Sequence, residues 1–440
     1  MTSSSLKPAL NRFSGCFHYF IYIFKRYDFM EHTIEFNGYY TLIAATLVLL
    51  VGRLVVKKVK FFRDFNIPEP VAGGLIAAFI ITSLYYFAHV TFKFESSLQS
   101  TFMLIFFSSI GLSADFSRLK QGGFPLVAFL LIVSIFIIVQ NFVGIGLATL
   151  MGQNPLMGLI AGSITLTGGH GTGAAYGGVL ANKFHVQGAV ELAMVAATYG
   201  LVSGGLIGGP VARRLVNKIG IQPINEDDSN TDSSAEHYDD KTFERAHRRR
   251  LITAESAIET MALFAACLAF SSFMYGYMTE HFPDFKLPQF VWALGFGVVL
   301  RNVLTSVFRF NMFDRAIDVF GNASLSLFLA MALMSMKLWQ LAGMAGPLMV
   351  ILLVQTFAMI FYAYFVTYRF MGKDYDAAIL AAGHCGFGLG ATPTAVANMQ
   401  SVTGTFGPSH KAFLIVPLVG AFFIDLINAA ILDRMMAFFG

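Results

Sequence analysis

The chain has 440 residues, of which 56% are hydrophobic and only 13% charged, and its mean hydropathy is +0.64. A soluble domain carries about 25% charged residues, so a large buried soluble core is excluded and an integral membrane protein is indicated. The net charge of +4 arises in loops and does not point to nucleic acid, and Cys16, Cys267 and Cys385 have neither metal spacing nor the number for a disulfide framework.

In chain order, residues 1–36 form an amino-terminal extension. Its aromatic run from Phe17 to Phe24, flanked by Lys7, Arg12, Lys25 and Arg26, is too short to span and lacks a small-residue cleavage site. It suits an interfacial segment rather than a signal peptide, and Met30 is the favoured start. Apolar spans are predicted at about 40–56, 67–89, 99–114, 124–150 and 190–211, with a glycine-rich segment at 157–180, making a first repeat over 37–216. Glu191, at the start of the fifth span, reads as interfacial, whereas Gly204, Gly205, Gly208 and Gly209 suit close helix packing. The polar stretch 217–250 runs through Glu226, Asp227 and Asp228 to Arg248, Arg249 and Arg250. It cannot bury a core and reads as a cytoplasmic linker. Spans at about 254–278, 287–305, 321–340, 344–368 and 412–433, with a second glycine-rich segment at 377–400, make a second repeat over 251–440. No Lys, Arg, Asp or Glu occurs from Gln121 to Asn182, nor from Leu338 to Tyr368.

The halves echo one another. Ile67, Pro68, Glu69, Pro70 and Val71 return as Leu287, Pro288, Gln289, Phe290 and Val291, a shift of 220, and the glycine-rich segments align at Ala161 and Ala382, a shift of 221. Basic residues set the orientation. Arg53, Lys57, Lys58, Lys60 and Arg63 place the end of the first span in the cytoplasm. If segment 157–180 crossed once, Arg213, Arg214 and Lys218 would lie outside, against the rule. Two crossings at roughly 20 residues each do not fit in it, so the segment must dip in and return. With five spans per half, the second repeat is inverted, the linker is cytoplasmic and the carboxyl terminus periplasmic. Arg301, Arg309, Arg315, Arg369 and Lys373 then fall inside, and Lys93, Lys183, Lys286, Lys337 and Arg434 outside.

Backbone that leaves the helix at membrane depth survives only where it packs in protein or lines a cavity. Paired interruptions in two halves point to a transporter's binding site. Helix starts at such tips suit anionic groups, and helix ends with unwound carbonyls suit a small cation. In the first segment Gly168, Gly169, Gly171 and Gly173 crowd the tip, with hydroxyls from Thr165, Thr167 and Thr172. In the second, Gly386, Gly388 and Gly390 precede Thr392, Pro393 and Thr394, and Asn398 follows one turn on. Asp425, inside the last span, is a carboxylate at membrane depth and so a functional candidate for a cation or a substrate ammonium, with Asn428 on its face. His170 and His384 have no second ligand at metal spacing, and neutral hydrogen-bonding histidines are expected. A channel and an intramembrane hydrolase with Cys385 as nucleophile are the readings from other classes.

The stretches Gly162–Ala175 and Ala381–Ala395 resemble the two re-entrant signatures of the bacterial sodium/glutamate symporter family, as do Ile67–Gly74, Gly321–Met331 and Phe406–His410 through Asp425. The resemblance covers about residues 35–440. It implies an all-α polytopic inner-membrane carrier with two inverted repeats of five transmembrane helices, each with a re-entrant hairpin. It further implies a homodimer with scaffold and transport domains that move as an elevator. The expected cargo is L-glutamate with sodium as co-transported ion and no cofactor. The family's hairpin positions fall on Ser163, Thr165, Gly168, Gly169, His170 and Thr172, and on Cys385, Gly386, Gly388, Thr392 and Thr394. Gly171, Asn398, Asp425 and Asn428 complete the candidate site, with Thr172, Thr392 and Asp425 as sodium candidates. Carriage of another small carboxylate, or coupling to protons, is the nearest alternative.

Overall fold

The computed structural model describes residues 32–64, 67–222, 252–282, 287–310, 312–338 and 344–440, without the side chains of 117–122 and 421–422. The aromatic run, the start at Met30 and most of the polar linker lie outside the described residues.

The first half runs β1 (His32–Phe36), α1 (Gly38–Lys58), α2 (Lys60–Asp64), α3 (Glu69–Ala88), β2 (Val90–Phe94), α4 (Ser97–Ser113), α5 (Ser117–Leu150), α6 (Pro155–Leu159 extended by a π-helical turn, Ile160–Ile164), α7 (Gly169–Lys183) and α8 (Ala189–Ile219). The second runs α9 (Ala254–His281), α10 (Gln289–Ser306), α11 (Asp314–Met334), α12 (Ala345–Phe370), α13 (Tyr375–Leu389), α14 (Thr392–Phe406), α15 (His410–Leu418) and, after a π-helical turn at Val419–Phe423, α16 (Ile424–Phe439). Seven of these helices, namely α1, α3, α5 from Gly123, α8, α9, α11 and α12, are long and apolar enough to cross a membrane. The other three predicted spans are α4 with 17 residues, α10 with 18, and the broken α15–α16. Large apolar side chains such as Phe87, Phe124, Leu131, Phe357 and Phe361 stand exposed on the outer surface, as lipid rather than water requires. The chain is a polytopic helical membrane protein.

One departure from an all-helical chain is a two-stranded parallel sheet, β1 on β2, in the register His32 to Val90 through Phe36 to Phe94. Parallel strands need a crossover, and α1 and α3 supply it. The Thr33 and Thr91 hydroxyls lie 2.9 Å apart, and Lys93 Nζ donates to Glu35 at 2.9 Å. Residues 32–36, expected within the extension, are thereby tied to the first repeat.

The helices pack as two bodies. α1, α3, α4, α9, α10 and α11 form the first, and α5 to α8 with α12 to α16 the second. Each body thus takes the corresponding elements of both halves. In the first, α4 crosses α10 backbone to backbone at Gly111, where a Cβ would fall 2.2 Å from the Leu294 carbonyl oxygen. The connector from α4 to α5 is pinned to the first body. Buried Arg301 donates through Nη2 to Asp115 at 3.1 Å and through Nη1 to Asp314. Asn302 spans the same turn, donating to the Ala114 carbonyl at 2.9 Å and accepting from the Phe116 N–H at 3.0 Å. Removing one partner of a buried ion cluster strands the others. Arg301→Leu is therefore expected to lower stability by about 3–5 kcal/mol, read as a lower melting temperature in detergent.

Candidate functional site

Both glycine-rich segments are helix–break–helix units within the second body. The first begins where Asn154 caps α6, its Oδ1 accepting from Leu156 N–H at 2.9 Å. The π-helical turn breaks at Gly162 (φ −108°, ψ −137°), and α7 starts at Gly169 with φ +66°, a left-handed conformation suited to glycine. Within the break, Thr165 Oγ1 donates to the Ile160 carbonyl at 2.6 Å. Ser163 N–H donates to Asn141 Oδ1 at 2.9 Å, and Asn428 Nδ2 donates to the Ser163 carbonyl at 3.0 Å. His170 Nε2 lies 3.0 Å from Thr198 Oγ1, whose own proton goes to the Met194 carbonyl at 2.8 Å. The imidazole must then be the donor, which makes it a strut between α7 and α8.

The second unit begins where Asp374 caps α13, Oδ1 accepting from Ala377 N–H at 2.8 Å. It breaks at Gly390 (φ −133°, ψ −98°) and extended Ala391, and α14 starts with Thr392 and Pro393. Proline in the first turn suits a helix start, because its missing N–H would have no partner there. His384 is fully buried among Phe129, Phe136, Tyr362 and Phe387, with Nδ1 2.8 Å from Thr367 Oγ1. Its ring therefore serves Thr367 rather than Cys385, a buried neighbour. Asn398 Nδ2 donates to the Gly204 carbonyl at 2.9 Å, binding α14 to α8.

The two breaks meet at one residue of α5. Gln140 Nε2 donates to the Gly388 carbonyl at 3.0 Å, and its Oε1 accepts from Thr167 Oγ1 at 2.9 Å. Gln355 of α12 donates in turn to the Gln140 carbonyl at 2.7 Å. Around this junction several buried polar atoms have no hydrogen-bond partner among the described residues. They are Asn141 Nδ2, Ser163 Oγ and Asn428 Oδ1 at the first break, Gln355 Oε1 beside α5, and His384 Nε2 and Thr394 Oγ1 on the two helices of the second unit. An orphaned buried polar atom costs about 1–3 kcal/mol, so each of these calls for an explanation, a bound ion or water among them.

Most of the predicted residues sort into three groups. Ser163, Thr394 and Asn428 offer free polar atoms beside the breaks. Thr165, His170 and Asn398 are spent on structural bonds. Several glycines are packing positions: a Cβ at Gly386 would fall 2.3 Å from Ala395 Cα, at Gly171 2.7 Å from the Phe106 ring, and at Gly168 2.7 Å from Thr172. Gly388 gives its carbonyl to Gln140 and Thr167. Thr172 is buried behind Gly168, and Thr392 is half-buried at the start of α14. Asp425 lies half-buried in the first turn of α16, with no hydrogen bond or ion pair among the described residues, while Asn428 reaches Ser163. Glu191, expected at the interface, is buried and accepts the Lys337 N–H at 2.7 Å. Sequence reasoning missed Gln140, Asn141 and Gln355, amides in the middle of apolar spans.

Comparison with known proteins places this geometry in context. The family model for the sodium/glutamate symporter matches residues 34–408. The chain is similar to the sodium/glutamate symporter of Haemophilus influenzae, at 52% identity over 91% of this chain and 98% of that one. It is also similar to the sodium/glutamate symporter of Escherichia coli, at 50% identity over 89% of this chain and 95% of that one.

Proposed function

Because the chain belongs to the sodium/glutamate symporter family, we infer that it carries L-glutamate with sodium across the bacterial cytoplasmic membrane and binds both at its two breaks. It is a transporter and not an enzyme, and sodium is cargo rather than cofactor. The observation that carries the site is the junction at Gln140, ringed by orphaned hydroxyl, amide and imidazole atoms. Buried Arg301 is committed to Asp115 and Asp314, so a dicarboxylate at the junction relies on neutral donors and on the helix starts at Gly169 and Thr392. Hydroxyls of Thr172 and Thr392 and the carbonyls at the ends of the π-helical turn and of α13 suit sodium.

The finer architecture is part of the same reading: two inverted repeats, hairpins re-entrant from opposite sides, a homodimer, and an elevator movement. Its support is the composition of the two bodies. The first collects spans one to three of each half, and the second collects spans four and five with each hairpin. Such a division lets the second body slide as a unit past the first. The orientation, with the linker cytoplasmic and the carboxyl terminus periplasmic, rests on the distribution of basic residues.

A carboxylate in the span without a partner costs about 2.5–3.5 kcal/mol on insertion scales, so Asp425 is kept for a cation. Asp425→Asn is expected to abolish sodium-coupled uptake. The test is uptake of labelled L-glutamate in proteoliposomes with sodium and proton gradients imposed separately. Full sodium-driven uptake by the variant removes Asp425 from the site. Uptake driven only by protons, or uptake of a different acid, replaces the cargo named above.

A further inference from the structure

We propose that the gap between the two bodies on the outer face is a second, weaker binding site for the free amino acid, ahead of the coupled site. The proposal rests on the orientation inferred above. The gap is a cavity of about 490 Å³, within the range of roughly 300–1,000 Å³ typical of small-molecule sites. Gln99, at the start of α4, and Lys337, just after α11, line it from the first body. Gln187 and Glu191, at the start of α8, line it from the second.

The lining suits a zwitterion with an extra carboxylate. Lys337 is exposed, and its ammonium has no ion pair among the described residues, so it is available to a carboxylate. The amides of Gln99 and Gln187 supply neutral donors. Glu191 spends Oε1 on the Lys337 N–H and keeps Oε2 for an α-ammonium. The first turn of α8 adds its positive dipole end to the same space.

The cavity also leads somewhere. Its floor is one face of α7, made of Ala181, Gly178 and Ala174, and that helix runs back to the first break at Gly169. The path closes at Gly171 against Phe106 and Leu325 of the first body. An amino acid held at Lys337 and Glu191 therefore waits one helix length from the junction, behind an apolar gate.

The test uses the full chain in right-side-out vesicles. Lys337→Gln is expected to raise the KM for L-glutamate about two- to fivefold at unchanged maximal rate, the effect of one exposed charge, and Lys337→Arg to restore it. Gln187→Cys is expected to react with a membrane-impermeant maleimide, and millimolar L-glutamate to slow that reaction in sodium-free medium, measured against the parent chain. An unchanged KM in Lys337→Gln, or protection that requires sodium, overturns the proposal. Wild-type vesicles that take up no glutamate, or a Gln187→Cys thiol reached only from the inside, overturn the underlying transport or orientation reading, and the proposal with it.

Discussion

Gln140→Leu is expected to abolish sodium-driven glutamate uptake while the chain still inserts and folds. Gln140 is fully buried and joins the two breaks through its side chain alone, donating to Gly388 and accepting from Thr167. The bond from Gln355 goes to its backbone carbonyl and survives the substitution. Interhelical hydrogen bonds in membranes average about 0.6 kcal/mol, so two lost bonds remove little of the folding free energy. The geometry of the breaks is another matter. Without the amide, the Gly388 carbonyl and the Thr167 hydroxyl keep only their own long bond of 3.4 Å, and the junction shifts. A melting temperature lowered by only a few degrees, together with uptake at background, is the predicted pair of results. Normal uptake by this variant would mean that the junction is not where transport is decided.

Gly200→Ala is expected to be nearly as damaging, through packing rather than polarity. A Cβ at Gly200 would lie 2.0 Å from the Leu389 carbonyl oxygen at the end of α13. That atom is backbone at the break, so relief requires moving the second hairpin off α8. Overpacking of this kind costs about 1–3 kcal/mol, and here the displacement falls on the site itself. Gly276→Ala on α9 is the control, since nothing lies within 4 Å of its added Cβ. Uptake and melting temperature measured together should fall for the first variant and stay level for the second.

Much of this was legible in the sequence because lipid leaves the backbone few options. Long apolar runs must be helices, and glycines clustered with threonine and histidine inside such a run point to a break nearby. The structure places those breaks between Gly162 and Gly168 and at Gly390–Ala391, inside the two predicted segments. Gln140, Asn141 and Gln355 escaped because attention to charge passes over neutral amides. Adjacent Gln and Asn in the middle of α5 are nevertheless a signal, since each brings hydrogen-bonding groups into a span that offers few partners. Thr198 and Thr367 were hidden for a different reason. A helical threonine can return its proton to its own backbone, as Thr198 does to Met194, so its presence says nothing of a tertiary partner. The roles of Gly171 and Gly386 were equally undecidable, because a glycine that admits a ligand and one that admits another backbone look alike in one dimension. The β1–β2 pair and the Glu191–Lys337 contact join residues far apart in the chain, and no local pattern announces such contacts.

The central claim is that segment 155–183 enters the membrane and returns to the side it came from. Cysteines placed singly at Gln153 and at Gln187, probed with a membrane-impermeant thiol reagent in right-side-out vesicles, test this most directly. The account predicts that both react without permeabilisation. Labelling of one from outside and the other only after the membrane is opened would contradict it.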